Sequence, residues 1–133
     1  MTARLSTWCV ALLLLGSGRA LATDIDCTDP ADQMAMTVCA EKDFQSADTE
    51  LGAAYQALTE RITPEGREKL EAARQAWIAY RDAQCDFDTF GSRDGTLYPM
   101  VQSTCLASLT RAQTQLLNEQ LNCQEGDLSC GNQ

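Results

Sequence analysis

Histidine is absent from this chain of 133 residues. Without it there is no Ser-His or Cys-His nucleophile pair and no imidazole base working near neutral pH, so most hydrolase mechanisms fall away. No two cysteines stand in a CxxC pair, which removes the commonest zinc-binding spacing as well. Valine and isoleucine occur three times each and no stretch alternates apolar with polar residues, so strands are not expected. Basic residues are few, 10 against 19 acidic ones for a net charge of −9. A surface of that sign repels polyanions, which argues against nucleic acid and anionic membranes and favours a basic protein as partner. The apolar run Val10 to Leu15 is far short of the roughly 20 residues that span a bilayer, and no membrane insertion is expected.

That run instead has the form of an export leader. Arg4 supplies a positive start, and Ala20-Leu21-Ala22 is the small-x-small pattern after which a signal peptidase cuts. Residues 1–22 therefore read as a signal peptide, and 23–133 as one domain with a helical core (27–121) and a cysteine-closed tail (122–133). Removing Arg4 and Arg19 leaves 8 basic residues against 19 acidic, a net charge of −11. Neither Cys9 nor Cys27 follows a lipoprotein-type box, so the product is expected to be periplasmic or secreted. Cys9 leaves with the leader, and Cys27, Cys39, Cys85, Cys105, Cys123 and Cys130 remain. An even number in a small exported domain reads as a disulfide framework, because the compartment is oxidising and a small core gains from cross-links.

Asp29-Pro30 has the form of a helix start, a capping carboxylate followed by a proline at the first helical position. From there Met36, Cys39 or Ala40, Phe44, Ala47, Leu51, Tyr55, Leu58 and Ile62 recur at three- and four-residue steps, one apolar stripe on a long helix. Thr63-Pro64 repeats the start signal, so a second helix folds back after a very short turn. Its facing stripe is Leu70, Ala73, Trp77, Tyr80 or Arg81, and Gln84 or Cys85, and Gly91 is its expected stop. Residues 91–98 form a glycine-rich loop. A third helix follows from about Pro99 through Val101, Cys105, Leu109, Ala112, Leu116 or Leu117, and Leu121. The fold class is all-α: a long antiparallel helical hairpin plus a third helix, stapled by disulfides. Hairpin geometry gathers Cys27, Cys39, Cys85 and Cys105 at one end, where three pairings are open. The shortest loops are closed by Cys27 with Cys39, Cys85 with Cys105, and Cys123 with Cys130.

Each chemistry-bearing feature has a plainer alternative. Trp77 and Tyr80 are either a recognition patch or core, and their place on the stripe favours core. Arg81 and Asp82 are better read structurally, with Arg81 crossing to Asp48 to set the hairpin register, than as a catalytic pair. The acid clusters Asp24-Asp26-Asp29-Asp32 and Asp82-Asp86-Asp88 lack the spacing of a calcium loop. Paired carboxylates suggest glycosidase chemistry only where there is a deep cleft, and a narrow helical hairpin offers little concavity. No enzyme activity, metal or cofactor is implied. The 91–98 loop mixes glycines and polar groups with Leu97 and Tyr98, and a Cys85 to Cys105 bridge would pin it. It is either a connector or a preordered element that inserts into a partner, with Ser92, Arg93, Leu97 and Tyr98 as the candidate contacts.

The blocks Cys39-Ala40-Glu41-Lys42-Asp43-Phe44, Ala47-Asp48 and Leu51 to Tyr55, then Trp77-x-x-Tyr80-Arg81-Asp82-x-x-Cys85, then Cys105 to Arg111, resemble the LprI-type lysozyme-inhibitor domain over roughly Cys27 to Leu121. The chain departs from that pattern at Ala35, Thr37 and Gly52, and in the Asp94-Gly95-Thr96 loop. The resemblance implies a small exported helical protein with paired cysteines that docks on a lysozyme and blocks its cleft. Many lysozymes are strongly basic, which suits a partner of charge −11. In that setting Arg93 is expected to meet the carboxylates of the cleft. The alternative reading is a non-inhibitory envelope adaptor or assembly factor, or an immunity-type protein for another basic partner. Thiol titration of the denatured, unreduced mature protein should find no free thiol; two or more per chain would refute the disulfide framework.

Overall fold

A computed structural model describes residues 25–123. The leader assignment for 1–22 and the pairing of Cys123 with Cys130 reach residues outside that range. Three long helices carry the fold: α1 (Gln33–Thr59), α2 (Pro64–Asp88) and α3 (Tyr98–Leu121), with a 3-10 turn at Phe90–Ser92 between the last two. At 1.5 Å per residue each is about 35–40 Å long. The chain runs up, down and up, so α1 and α3 are parallel.

Helix α1 begins later than Asp29-Pro30 predicts. Its cap is Asp32, whose carboxylate accepts from the Ala35 N–H at 2.8 Å. The reason is the bridge between Cys27 and Cys39, whose Cα atoms are 5.5 Å apart. A helix running from residue 30 would carry Cys39 about 13 Å along the axis from its start, beyond reach of Cys27. The segment before Asp32 doubles back alongside the helix instead. The α1–α2 connection matches its signal: Thr63 caps α2 by accepting from the Gly66 N–H at 3.1 Å, and Pro64 occupies the first turn. Arg61 donates to the Leu121 carbonyl at 2.8 Å, tying this turn to the end of α3.

The apolar core lies toward the turn. Leu51, Ala54, Tyr55, Leu58, Ile62 and Leu117 form it, with Leu70, Trp77 and Leu121 packed against its edge. Alternatives left open by periodicity resolve to Arg81 over Tyr80, Cys85 over Gln84 and Leu117 over Leu116. Tyr80 is a correction: it is 56% exposed and contributes nothing to the core. Ala73 and Ala112 are also exposed, and Met36 gives up its expected place to Ala35. Trp77 is half-buried.

A second difference concerns which helices are closest. Within the antiparallel hairpin α2 stands off, and α1 packs most tightly against α3. Small side chains explain it: Ala47, Ala107 and Thr110 are almost wholly buried, and Ser103 nearly so, which lets two helix backbones approach. Helix α2 carries the bulkier Leu70, Trp77 and Arg81 on its inner face, and these hold it further out. Polar Ser103 and Thr110 hid this interface from a search for apolar stripes. The Thr110 hydroxyl is buried with no hydrogen-bond partner. Thr110→Val keeps the shape and removes the desolvated hydroxyl, so it should raise the unfolding free energy by about 1 kcal/mol, read as a higher urea midpoint at unchanged slope.

Candidate functional site

The stapled end is where α1 starts, α2 stops and α3 starts. The Cys85–Cys105 bridge brings its two Cα atoms to 5.7 Å, and Cys85 is wholly buried. From there to α3 the chain makes consecutive tight turns, not an open loop. The Thr89 hydroxyl donates to the Cys85 carbonyl at 2.7 Å, the Ser92 hydroxyl to the Thr89 carbonyl at 2.8 Å, the Gly95 N–H to the Ser92 carbonyl at 2.8 Å and the Tyr98 N–H to the Gly95 carbonyl at 3.1 Å. A Cβ at Gly95 would lie 3.2 Å from the Ser92 carbonyl oxygen, which is why the smallest residue suits that turn. The segment is therefore ordered by its own backbone and hydroxyl hydrogen bonds.

Of the residues singled out in it, Ser92 is half-buried and spends its hydroxyl proton internally. Arg93 is exposed, but its guanidinium is paired with Asp86 and sits 5.7 Å from the centroid of the Phe90 ring. The hydrogen bond to the Asp86 carboxylate raises the Arg93 pKa above its ordinary value. Leu97 is 46% exposed, and Tyr98 is half-buried as the first residue of α3. Two further side chains complete the surface and were missed in the sequence: Phe87, 77% exposed, and Phe90, 68% exposed. The clue was present. Phe87 lies two residues beyond Cys85, about 200° around the helix from a core position, so it had to face outward. Met34, at the start of α1, adds another exposed apolar group to the same end. Asp86 and Asp88 bracket Phe87, and Asp94 follows in the turns; all three are exposed.

Further along the bundle Arg81 joins α1 to α2. Only 9% of the residue is exposed, and its guanidinium lies 5.2 Å from the ring centroids of both Phe44 and Trp77. It pairs with Asp82 at 2.7 Å and reaches Asp48 on α1 at 3.5 Å. On the other side of α1, Arg111 of α3 grips both carboxylate oxygens of Asp43, and this hydrogen bonding lowers the Asp43 pKa. The Arg81–Asp48 and Asp43–Arg111 contacts join helices.

An open groove of about 510 Å³ between α1 and α2 is lined by Tyr55, Arg67, Leu70, Glu71 and Arg74 among others. Its charges are partnered within the groove: Arg74 lies over the Tyr55 ring and 3.6 Å from Glu71, and Arg67 donates to the Thr59 carbonyl at 2.9 Å. Burial raises the Tyr55 pKa, so the phenol stays protonated at neutral pH. Among the described residues no group of three potential metal ligands comes together, and no helix is long and apolar enough to cross a membrane.

Comparison with known proteins adds three findings. The family model described as "Lysozyme inhibitor LprI" matches residues 27–117. An uncharacterized protein of Rhizobium meliloti (strain 1021) is 34% identical over 113 residues, covering 75% of this chain and 81% of that protein. No solved structure matches.

The Arg81 cluster yields a stability test. Arg81→Lys keeps the charge but loses the planar fork that pairs with carboxylate while lying against two rings, and should lower the unfolding free energy by about 1–3 kcal/mol. Asp48→Asn should cost under about 1 kcal/mol, because the Asp48 side chain is 60% exposed. Urea titration of both variants checks the order.

Proposed function

The chain belongs to the LprI lysozyme inhibitor family, and from that premise we propose that it is an exported inhibitor of lysozyme-type muramidases that acts by seating its stapled end in the active-site cleft. One observation supports this reading: the end opposite the core exposes apolar side chains on a segment already held by a disulfide and by its own hydrogen bonds. Ordering before binding lowers the entropy cost of insertion. Inhibition of this kind needs occlusion and no chemistry, which agrees with a surface lacking histidine.

Leu97 and Tyr98 supply apolar contact, and Ser92 keeps the turn in shape. Arg93 retains donors beyond those that Asp86 takes and reaches toward carboxylates in the cleft. The mature charge of −11 steers the encounter with a basic enzyme, an effect that fades with salt. The adaptor or immunity-type reading differs in one consequence, since such a protein binds without slowing cell-wall lysis.

Turbidity clearance of a cell-wall suspension by c-type, g-type and i-type lysozymes distinguishes them. The mature protein should slow at least one; no effect on any favours the adaptor. Replacing Arg93, Leu97 and Tyr98 together by alanine should speed dissociation at least about tenfold, a loss of about 1.4 kcal/mol, with helicity nearly unchanged. A triple variant that inhibits as well as the parent would move the binding face to the acidic flanks around Glu41, Asp43, Glu50, Glu68 and Glu71.

A further inference from the structure

The outer face of α2 over its last turns carries an apolar ridge that the fold does not use. Tyr80 and Phe87 are seven residues apart, two helical turns and about 10 Å on one face, with exposed Ala83 between them. Phe90 continues the ridge into the 3-10 turn. These three aromatics are 56%, 77% and 68% exposed, whereas the aromatics facing α1 are covered or half-covered. Large exposed rings in a row mark an interaction surface, since scattered single apolar residues are ordinary but a contiguous set favours association. The ridge has charged borders. Asp86 and Asp88 lie about 100° to either side of Phe87 on the helix; Asp86 is paired with Arg93 and Asp82 with Arg81, so the uncompensated negative charge stands on the Asp88 side.

We propose that this ridge, Tyr80, Phe87 and Phe90 beside the acidic Asp88 border, is the anchoring surface for the partner, a basic lysozyme-type protein with an apolar depression rimmed by Lys or Arg. This rests on the inhibitor reading and shifts the weight of binding from the 91–98 segment onto α2. Charge selects the occupant. A second copy of this chain carries the same excess of acidic residues, 19 against 10 basic ones, and like net charge opposes association. An anionic bilayer would be repelled by the same carboxylates. A cationic rim meets the Asp88 border while the rings enter the depression, and aromatic residues at the centre of an interface dominate its affinity. The Arg93 guanidinium, held by Asp86 over the Phe90 ring, keeps that ring in place at the end of the ridge.

The test uses the mature protein and immobilised c-type, g-type and i-type lysozymes. Phe87→Ser combined with Phe90→Ser should raise the dissociation constant at least about thirtyfold for whichever lysozyme the parent binds, while circular dichroism and melting stay as in the parent. Asp88→Lys should slow association several-fold at low salt and flatten its salt dependence. Leu116→Ser, which removes another exposed apolar side chain at the far end of α3, should change neither. If the parent binds and the double phenylalanine variant binds equally well, the ridge is overturned and the inhibitor reading stands. If the parent binds none of the three enzymes, both fall. Should the double variant melt early, unchanged association of Asp88→Lys would by itself overturn the proposal.

Discussion

The Cys85–Cys105 bridge is the constraint on which the end of the bundle opposite the α1–α2 turn depends. The apolar cluster of Leu51, Leu58, Ile62 and Leu117 lies toward the α1–α2 turn, leaving the opposite end with little aliphatic packing. There Cys85–Cys105 joins α2 to α3, and Cys27–Cys39 pins the segment before α1 to that helix, closing loops of 20 and 12 residues. By the loop-entropy account each such closure is worth about 3 kcal/mol. An end secured covalently can leave Phe87, Phe90, Leu97 and Met34 in solvent, because their burial is not needed to hold the helices together. The division of labour runs along the bundle: packing at the turn, cross-links and exposed apolar groups at the other end.

Between the two ends the helices are joined by shape and by charge. Parallel helices need a crossover, and α2 serves as one, standing off from the tight α1–α3 pair. Small residues at Ala47, Ala107 and Thr110 set that pair's close approach. Arg81 fills the wider space on the α2 side with a planar cation lying against Phe44 and Trp77. A charge is tolerated at such a site because Asp82 and Asp48 neutralise it and the rings accept it. The Trp-x-x-Tyr-Arg-Asp-x-x-Cys block is therefore mainly architecture: Trp77, Arg81 and Cys85 join α2 to the rest, exposed Asp82 holds the Arg81 guanidinium, and Tyr80 faces away.

For a family of inhibitors this layout is physically reasonable. An inhibitor needs a rigid projecting surface and a charge that brings it to the enzyme. The turns from Thr89 to Tyr98 are closed by successive hydrogen bonds, and acidic residues far outnumber basic ones on the chain. Steering by charge acts at long range and on the rate of encounter, whereas apolar contact acts at short range and on the lifetime of the complex.

The all-α class, the three helices, the Thr63-Pro64 reversal and the gathering of Cys27, Cys39, Cys85 and Cys105 at one end were all legible in the sequence. Each follows from local chemistry: a 3.6-residue period, a capping side chain, a proline lacking an N–H, and the equal lengths of two antiparallel arms. The late start of α1 was not legible, because Asp32 and Asp29 are both competent caps and the bridge to Cys27 chooses between them. Nor was the α1–α3 pairing, whose contacts run through Ser103 and Thr110, residues that carry no apolar signal. Tyr80 and Arg81 sit next to each other at the edge of one stripe, and a rotation of about 100° separates their outcomes. How far α2 stands from α1, and which of its faces turns inward, is set by the volume of side chains from all three helices at once, and that is a property of the packed structure and of no single segment.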